Sequence, residues 1–253
     1  MISFLRKVYK KIKKLVFNYN LQHLEGVNDV YDFNISNPLG GNGERVDIEF
    51  NSKIDYEKLD IYQKSHIKRY DFANSQIGLG SICGDFACGT GYGSILLSNK
   101  AGKVIGVDFN LKVIKAIKKR YKHIKNVEFL SDNLLNLQYI SFFDTIVSFE
   151  TIEHFSENDL IKLLKLFNKA LVFNGSLFFS TPYMQEKSEG AIKLGFHLTF
   201  FINEEKIIEW LNLCGFEVES FSYQNYDTHL IEEELVLTKK DFIICKAKKV
   251  CNA

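Results

Sequence analysis

Asp85-Phe86-Ala87-Cys88-Gly89-Thr90-Gly91-Tyr92-Gly93 is the stretch on which the reading of this chain turns. It follows a short apolar run, Ile82 to Phe86, and leads into another that closes with Leu96 and Leu97, the pattern of strand, glycine-rich turn and helix. Glycines at such a junction let the backbone turn tightly and let a ligand approach with no Cβ in its way. Seventeen positions after Gly91, at the end of a second strand Val104-Ile105-Gly106-Val107, stands Asp108. A carboxylate there can accept both hydroxyls of a ribose. Loop and acid together predict an adenosine site at the carboxyl edge of a parallel sheet.

The spacing is not that of a dinucleotide fold. That fingerprint is G-x-G-x-x-G, whereas here the third glycine position, counted from Gly89, is Ser94 and the order is G-x-G-x-G. A pyrophosphate must rest on bare helix N–H groups. The observed form, with an acid four residues before Gly89, better suits the small zwitterionic tail of S-adenosylmethionine, which carries no phosphate. Tyr121 and Lys125 form a Tyr-x-x-x-Lys pair, but too early in the chain and on a surface helix, so no reductase is read from it.

Outward from this centre the pattern alternates. A helix is predicted over about 63–76, and another after Asn110, which can cap it, with Leu111, Ile114, Ile117 and Tyr121 on one face. Strands are predicted at 127–130, 144–149 and 174–181, with a helix carrying Leu160, Leu163, Leu164 and Phe167 between the last two. After Pro182 come a helix near 203–214, stopped by Gly215, and strands near 216–223 and 241–248 that pair antiparallel at the sheet edge. The fold class is therefore α/β: a doubly wound, Rossmann-like, mostly parallel seven-stranded sheet with an antiparallel C-terminal edge strand and an N-terminal helical extension. Residues 1–60 are read as the extension and 61–253 as the domain.

Composition narrows the function. Of 253 residues 46% are hydrophobic and 25% charged, which is ordinary for a globular protein; 22 Phe and 12 Tyr promise an aromatic core and cleft. The net charge of +1 gives no drive toward nucleic acid. Six of the positive charges fall in the first 14 residues, which leaves the remainder at −5. Residues 2–17 space Leu5, Val8, Ile12, Leu15 and Val16 as a basic amphipathic helix, read equally as a contact with an anionic membrane surface or a partner and as a helix packed on the domain's own edge. No apolar run approaches the roughly 20 residues of a membrane span. The five cysteines show no metal-ligand spacing and no disulfide framework, so the compartment is read as cytoplasmic, with peripheral contact at the inner membrane surface open through residues 2–17.

At this point the sequence resembles class I S-adenosylmethionine-dependent methyltransferases. Asp85 to Gly93 looks like their first motif, usually D-x-G-C-G-T-G, with Ala87 where glycine is common. Alanine avoids positive φ, so the loop is expected to differ slightly there. The resemblance runs through Asp108, Leu130-Ser131-Asp132-Asn133, Phe143 to His154, Gly175 to Pro182 and His197 to Glu217, over roughly residues 60–250. It implies S-adenosylmethionine as cofactor. Gly89 and Gly91 would approach its methionine and ribose part, with Asp85 and Tyr92 from the same loop. Asp108, with Phe109 beside it, would hold the ribose; Asp132 would face the adenine amino group, with Asn133 next to it; Glu150 would lie near the methionine amino group. A narrower resemblance, carried by His66-Ile67-Lys68-Arg69-Tyr70-Asp71-Phe72-Ala73, is to bacterial methyltransferases of surface-glycan biosynthesis. It implies that Arg69 binds the methionine carboxylate, that Tyr62 or Tyr70 lines the pocket, and that the acceptor is a nucleotide-linked sugar or capsule precursor.

Methyl transfer is an in-line displacement at an activated carbon, so the protein mainly aligns acceptor, carbon and sulfur and excludes water. An alcohol must also lose a proton, for which histidine is the usual base. His154, after the fourth strand, is the first candidate, His197 the second, and Glu153 an orienting acid. An N/D-P-P-Y/F motif, typical of methylation of nucleic-acid bases, is absent where Phe149-Glu150-Thr151-Ile152 stands. No paired acid cluster marks a metal site. The expectation is O-methylation of a sugar hydroxyl; the alternatives are another small metabolite (a quinone precursor, an amine or a phosphorylated compound) and a binding module without catalysis.

Overall fold

The computed structural model describes residues 46–48, 54–189, 197–233 and 239–253. The basic segment 2–17 lies outside them. Helix α1 (Ile61–Gln76) opens with a capping box: the Asp60 carboxylate accepts from Gln63 N, and the Gln63 side chain accepts from Asp60 N. Strand β1 (Ile82–Phe86) runs into the glycine loop and α2 (Tyr92–Ser98); β2 (Lys103–Asp108) leads to α3 (Leu111–Arg120); β3 (Val127–Ser131) and β4 (Phe143–Phe149) follow. Then come α4 (Glu157–Ala170), β5 (Leu171–Pro182), α5 (Glu204–Leu213), β6 (Phe216–Gln224), the two-residue β7 (Ile231–Glu232) and β8 (Phe242–Lys249).

These strands form one sheet in the order β3-β2-β1-β4-β5-β8-β6-β7. The first five are parallel; β8 is antiparallel to both β5 and β6, and β7 to β6. Two expectations change. Among the described residues the sheet has eight strands, because β7 is too short to leave a period in the sequence. The antiparallel C-terminal strand is not at the edge but lies between β5 and β6. Its opening, Phe242-Ile243-Ile244-Cys245, is buried throughout, whereas β6 alternates between buried and exposed positions along its first half. Only an interior strand needs apolar residues on both faces.

One face of the sheet packs on α4 and α5, the other on α1 and α2, with α3 joining α2 on that side through Ile95, Ile117 and Phe129. Asn110 caps α3 by accepting from Lys112 N and Val113 N. The buried face of α3 is Val113, Ile114 and Ile117, continued by Tyr121, while Leu111 is 45% exposed, in place of the stripe expected from the sequence. Residues 46–48 are part of the domain's packing. Ile48 is buried among α1 and α2, Arg120 forks onto the Asp47 carboxylate at 2.7 and 3.0 Å, and Thr90 Oγ1 donates to Val46 O.

Candidate active site

The parallel strands end together, and their ends carry the predicted residues. Phe86 is level with Val107, Asp108 with Ser131, and Phe149 with Ser180. The loop after β1 is held open by three residues of unusual backbone at alternate positions. Ala87 and Gly89 have φ of 61° and 51°, and Gly91 has φ of 78°. Cys88 N donates to Val107 O, and Gly89 N donates to Asp108 Oδ2 at 3.1 Å, so the loop is stitched to β2. The Asp108 carboxylate, 5% exposed, also accepts from Asn110 N at 2.8 Å. Two backbone N–H groups thus fix its plane. A Cβ on Gly91 would meet the Phe129 ring at 2.9 Å, so this glycine is demanded by packing as well as by φ.

Asp85 is placed differently from expectation. It is wholly buried, and its two oxygens accept from Tyr70 Oη at 3.0 Å and Ser94 Oγ at 2.6 Å. It braces the loop against α1 and α2 instead of presenting an open carboxylate. Burial pushes its carboxyl up to about 6, against the pull of the Ser94 and Tyr70 hydroxyls. Tyr92 is also buried, and its hydroxyl lies 2.6 Å from His66 Nδ1. Burial, with Arg69 adding, holds His66 well below the ordinary imidazole range, so the ring that meets the Tyr92 hydroxyl is neutral.

At the end of β4, Glu150 adopts φ of 49°. Positive φ in a non-glycine residue is a strain that the surroundings must impose. Its carboxylate meets Arg69 Nη1 at 2.6 Å and Ser180 Oγ at 2.6 Å. Arg69 is fully buried and stacks on Phe242 at 4.3 Å, while its Nε and Nη2 have no hydrogen-bond partner among the described residues. A buried guanidinium with two unmet donors is costly unless a ligand meets them. A carboxylate binds such a fork bidentately, and Glu150 beside it offers the charge an ammonium needs. This pair, Asp108 and the loop fit the amino-acid tail and ribose of S-adenosylmethionine. Tyr62 is 52% exposed and packs edge-on to Tyr226 at 5.0 Å; Tyr226 in turn lies edge-on to Phe242. Ser180, Tyr226 and Phe242 are site residues that the sequence reading missed. Ser180 stands in a segment read only as strand, and the other two are distant in sequence. Phe109 is 44% exposed at the end of β2. Asp132 is exposed, with its Oδ1 accepting from Asn133 N, and Asn133 caps the turn 134–136.

The candidate acid–base residues converge. Glu153 and His154 sit on a short 3-10 turn, Ile152–His154. Leu198 N and Thr199 N both donate to Glu153 O, at 2.8 and 3.1 Å, which brings His197 to the same place. The two imidazole rings lie 5.0 Å apart, and Glu153 is 1% exposed. One ligand atom from each of Glu153, His154 and His197 lies within 4.8 Å of the others. A metal-ligand grouping was not anticipated, because His197 lies 43 positions after His154 in the chain. Among the described residues no helix is long and apolar enough to cross a membrane.

Residues 84–175 match a family model described as a methyltransferase domain. The chain is 31% identical over 134 residues to a "probable S-adenosylmethionine-dependent methyltransferase" of Mycolicibacterium smegmatis, covering 52% of this chain and 50% of that protein. It is 34% identical over 116 residues to malonyl-[acyl-carrier protein] O-methyltransferase of Bacillus anthracis, covering 45% and 40%. The chain thus spans about half or less of the length of the curated relatives it matches. Its fold resembles the N-methyltransferase NodS of Bradyrhizobium japonicum, solved with S-adenosyl-L-homocysteine, at a TM-score of 0.58 and 14% identity over 79% of this chain and 93% of that one.

Proposed function

We propose that this chain, whose residues 84–175 match a methyltransferase-domain family model, is a class I S-adenosylmethionine-dependent enzyme that transfers a methyl group to a hydroxyl oxygen of a small acceptor, most specifically a nucleotide-linked sugar. The observation that carries the donor half is the buried Arg69 fork beside Glu150, level with Asp108 at the carboxyl ends of the strands. The donor supplies a methyl group on a positively charged sulfur. An acceptor oxygen forms the new C–O bond, the C–S electron pair stays on sulfur, and the hydroxyl proton must leave.

The protein's part is placement and proton removal. Arg69 and Glu150 hold the two charges of the amino-acid tail, and Asp108 holds the ribose. Phe109 and Asp132 border the base. Glu153, His154 and His197 activate the acceptor hydroxyl. That cluster supports an oxygen acceptor over an amine, because a neutral amine already has its lone pair available and needs no such activation. The sugar is supported by the likeness of residues 66–73 to surface-glycan methyltransferases and by exposed aromatic surface from Tyr62 beside Tyr226. On this reading the protein works in the cytoplasm, and residues 2–17 bring it to an anionic membrane surface.

The test is transfer of labelled methyl from S-adenosylmethionine to a panel of nucleotide sugars, with acyl-carrier thioesters, phenols and amines as competing classes. Label on a sugar hydroxyl is the expected result. Label only on amines, or none with any acceptor despite donor uptake, would refute it. His154→Ala should lower turnover at least 100-fold and leave the affinity for S-adenosylhomocysteine intact.

A further inference from the structure

We infer that Glu153, His154 and His197 bind one divalent transition-metal ion. The site itself is independent of the activity proposed for the chain; only its use, to activate the acceptor hydroxyl, rests on that reading.

Three observations carry the site. Two imidazoles and a carboxylate each bring one ligand atom into a space where all three lie within 4.8 Å of one another. Metal–ligand bonds of about 2.0–2.2 Å require such atoms to sit about 3–4 Å apart, a gap that side-chain rotation closes. The juxtaposition is built in rather than left to a loose loop. Besides the two backbone bonds to Glu153 O, Thr199 Oγ1 donates to Phe155 O at 2.7 Å, so the segment from His197 is sewn to the turn on both sides of His154. Finally, His197 Nδ1 lies 2.5 Å from Gln185 Oε1. An amide oxygen can only accept, so Nδ1 is the donor in this contact and Nε2 is the nitrogen left to ligate. A ligating histidine is oriented in just this way, its far nitrogen donating to an oxygen of the protein.

The donor set names the class of ion. Magnesium and calcium prefer oxygen ligands throughout, whereas two imidazoles and one carboxylate suit manganese, iron, cobalt or zinc and leave coordination positions open. An acceptor hydroxyl bound at an open position becomes far more acidic and passes its proton to solvent. Glu153, His154 and His197 then work as ligands rather than as a base with its orienting acid.

The experiment uses the full chain, stripped with a chelator and titrated with Co²⁺ by calorimetry and visible absorption. One Co²⁺ per chain is expected, with ligand-field bands that appear on binding. Glu153→Gln, His154→Ala and His197→Ala should each weaken uptake at least 10-fold, and Gln185→Leu by about 10-fold through loss of the orienting bond. S-adenosylhomocysteine affinity, measured on the same samples, should stay at the wild-type value and shows that each variant is folded. A wild type that takes up S-adenosylhomocysteine but no Co²⁺ overturns the site, as do folded variants that bind Co²⁺ as tightly as the wild type. Co²⁺ uptake with no S-adenosylhomocysteine uptake supports the ion site and strikes the methyltransferase reading alone.

Discussion

Ala87 sits at φ of 61° in the first motif, a region that costs an L-residue with a Cβ about 1–2 kcal/mol. The sequence predicts that the loop would shift to avoid this conformation. Instead the loop keeps it, because Cys88 N and Gly89 N are both tied to the end of β2 and leave the backbone no other course. Ala87→Gly should therefore stabilise the protein by about 0.5–1 kcal/mol, the relieved strain less the added freedom of the unfolded chain. A thermal melt should show Tm rising by about 1–4 °C; an unchanged or lower Tm would mean that the strain is not there. Asp85 makes a second prediction at this scale. Its folded pKa of about 6 lies above its ordinary value of 3.8, with burial the main cause. The folded protein then holds the proton more tightly than the unfolded chain. The contribution is fully present below about pH 3.8 and is lost as pH rises through about 6. Asp85→Asn cannot titrate, so in urea melts its stability relative to wild type should improve by about 1 kcal/mol between pH 5 and pH 7. A gap that stays constant, or moves the other way, would show an Asp85 that is ionised throughout.

At the scale of elements, α1 decides whether the donor site closes. It buries Ser65, Arg69 and Tyr70 along with Ile67 and Ala73, so it has no simple apolar stripe. Its position depends on Gly93, where a Cβ would stand 2.0 Å from the Tyr70 ring. Gly93→Ala must push α1 off α2 and carry Arg69 with it. We expect a loss of about 1–3 kcal/mol from overpacking and a fall of at least 10-fold in S-adenosylhomocysteine affinity, read by chemical denaturation and calorimetry. The companion Gly93→Ala/Tyr70→Ala removes the clash and should regain part of the affinity. The elements also show what a sequence can and cannot reveal. The glycine loop, Asp108 at the end of β2 and the apolar face of α4 follow local rules of spacing and were legible. The depth of Arg69 was not: the resemblance over residues 66–73 implies that it binds the donor, but its full burial follows only when Phe242 and Ser180 are folded over it from other strands. Nor was the meeting of His154 with His197, which depends on backbone bonds from residues 198 and 199 to the turn after β4. Contacts between segments far apart in the chain leave no period to read.

For the whole molecule the question is how binding at one edge is felt by the rest. All five parallel strands present their carboxyl ends to the donor site, and α1, α2 and the 46–48 segment pack on the loop that borders it. A ligand held there bridges elements from residue 62 to residue 150 and is absent from the unfolded chain. Such binding must stabilise the entire fold by mass action. S-adenosylhomocysteine at about 100 times its Kd should add about 2.7 kcal/mol, which for a domain of this size raises Tm by about 5–10 °C. Asp108 is the test residue, because its carboxylate is oriented by Gly89 N and Asn110 N before any ligand arrives. Asp108→Ala should abolish the ligand-induced rise while changing the ligand-free Tm by only a few degrees. Asp108→Asn, which keeps one accepting oxygen for the loop, should melt close to wild type without ligand and still show a strongly reduced shift. A full shift in both variants would mean that the ribose is gripped elsewhere, and with it would go the assignment of the β1–β2 edge as the nucleoside site.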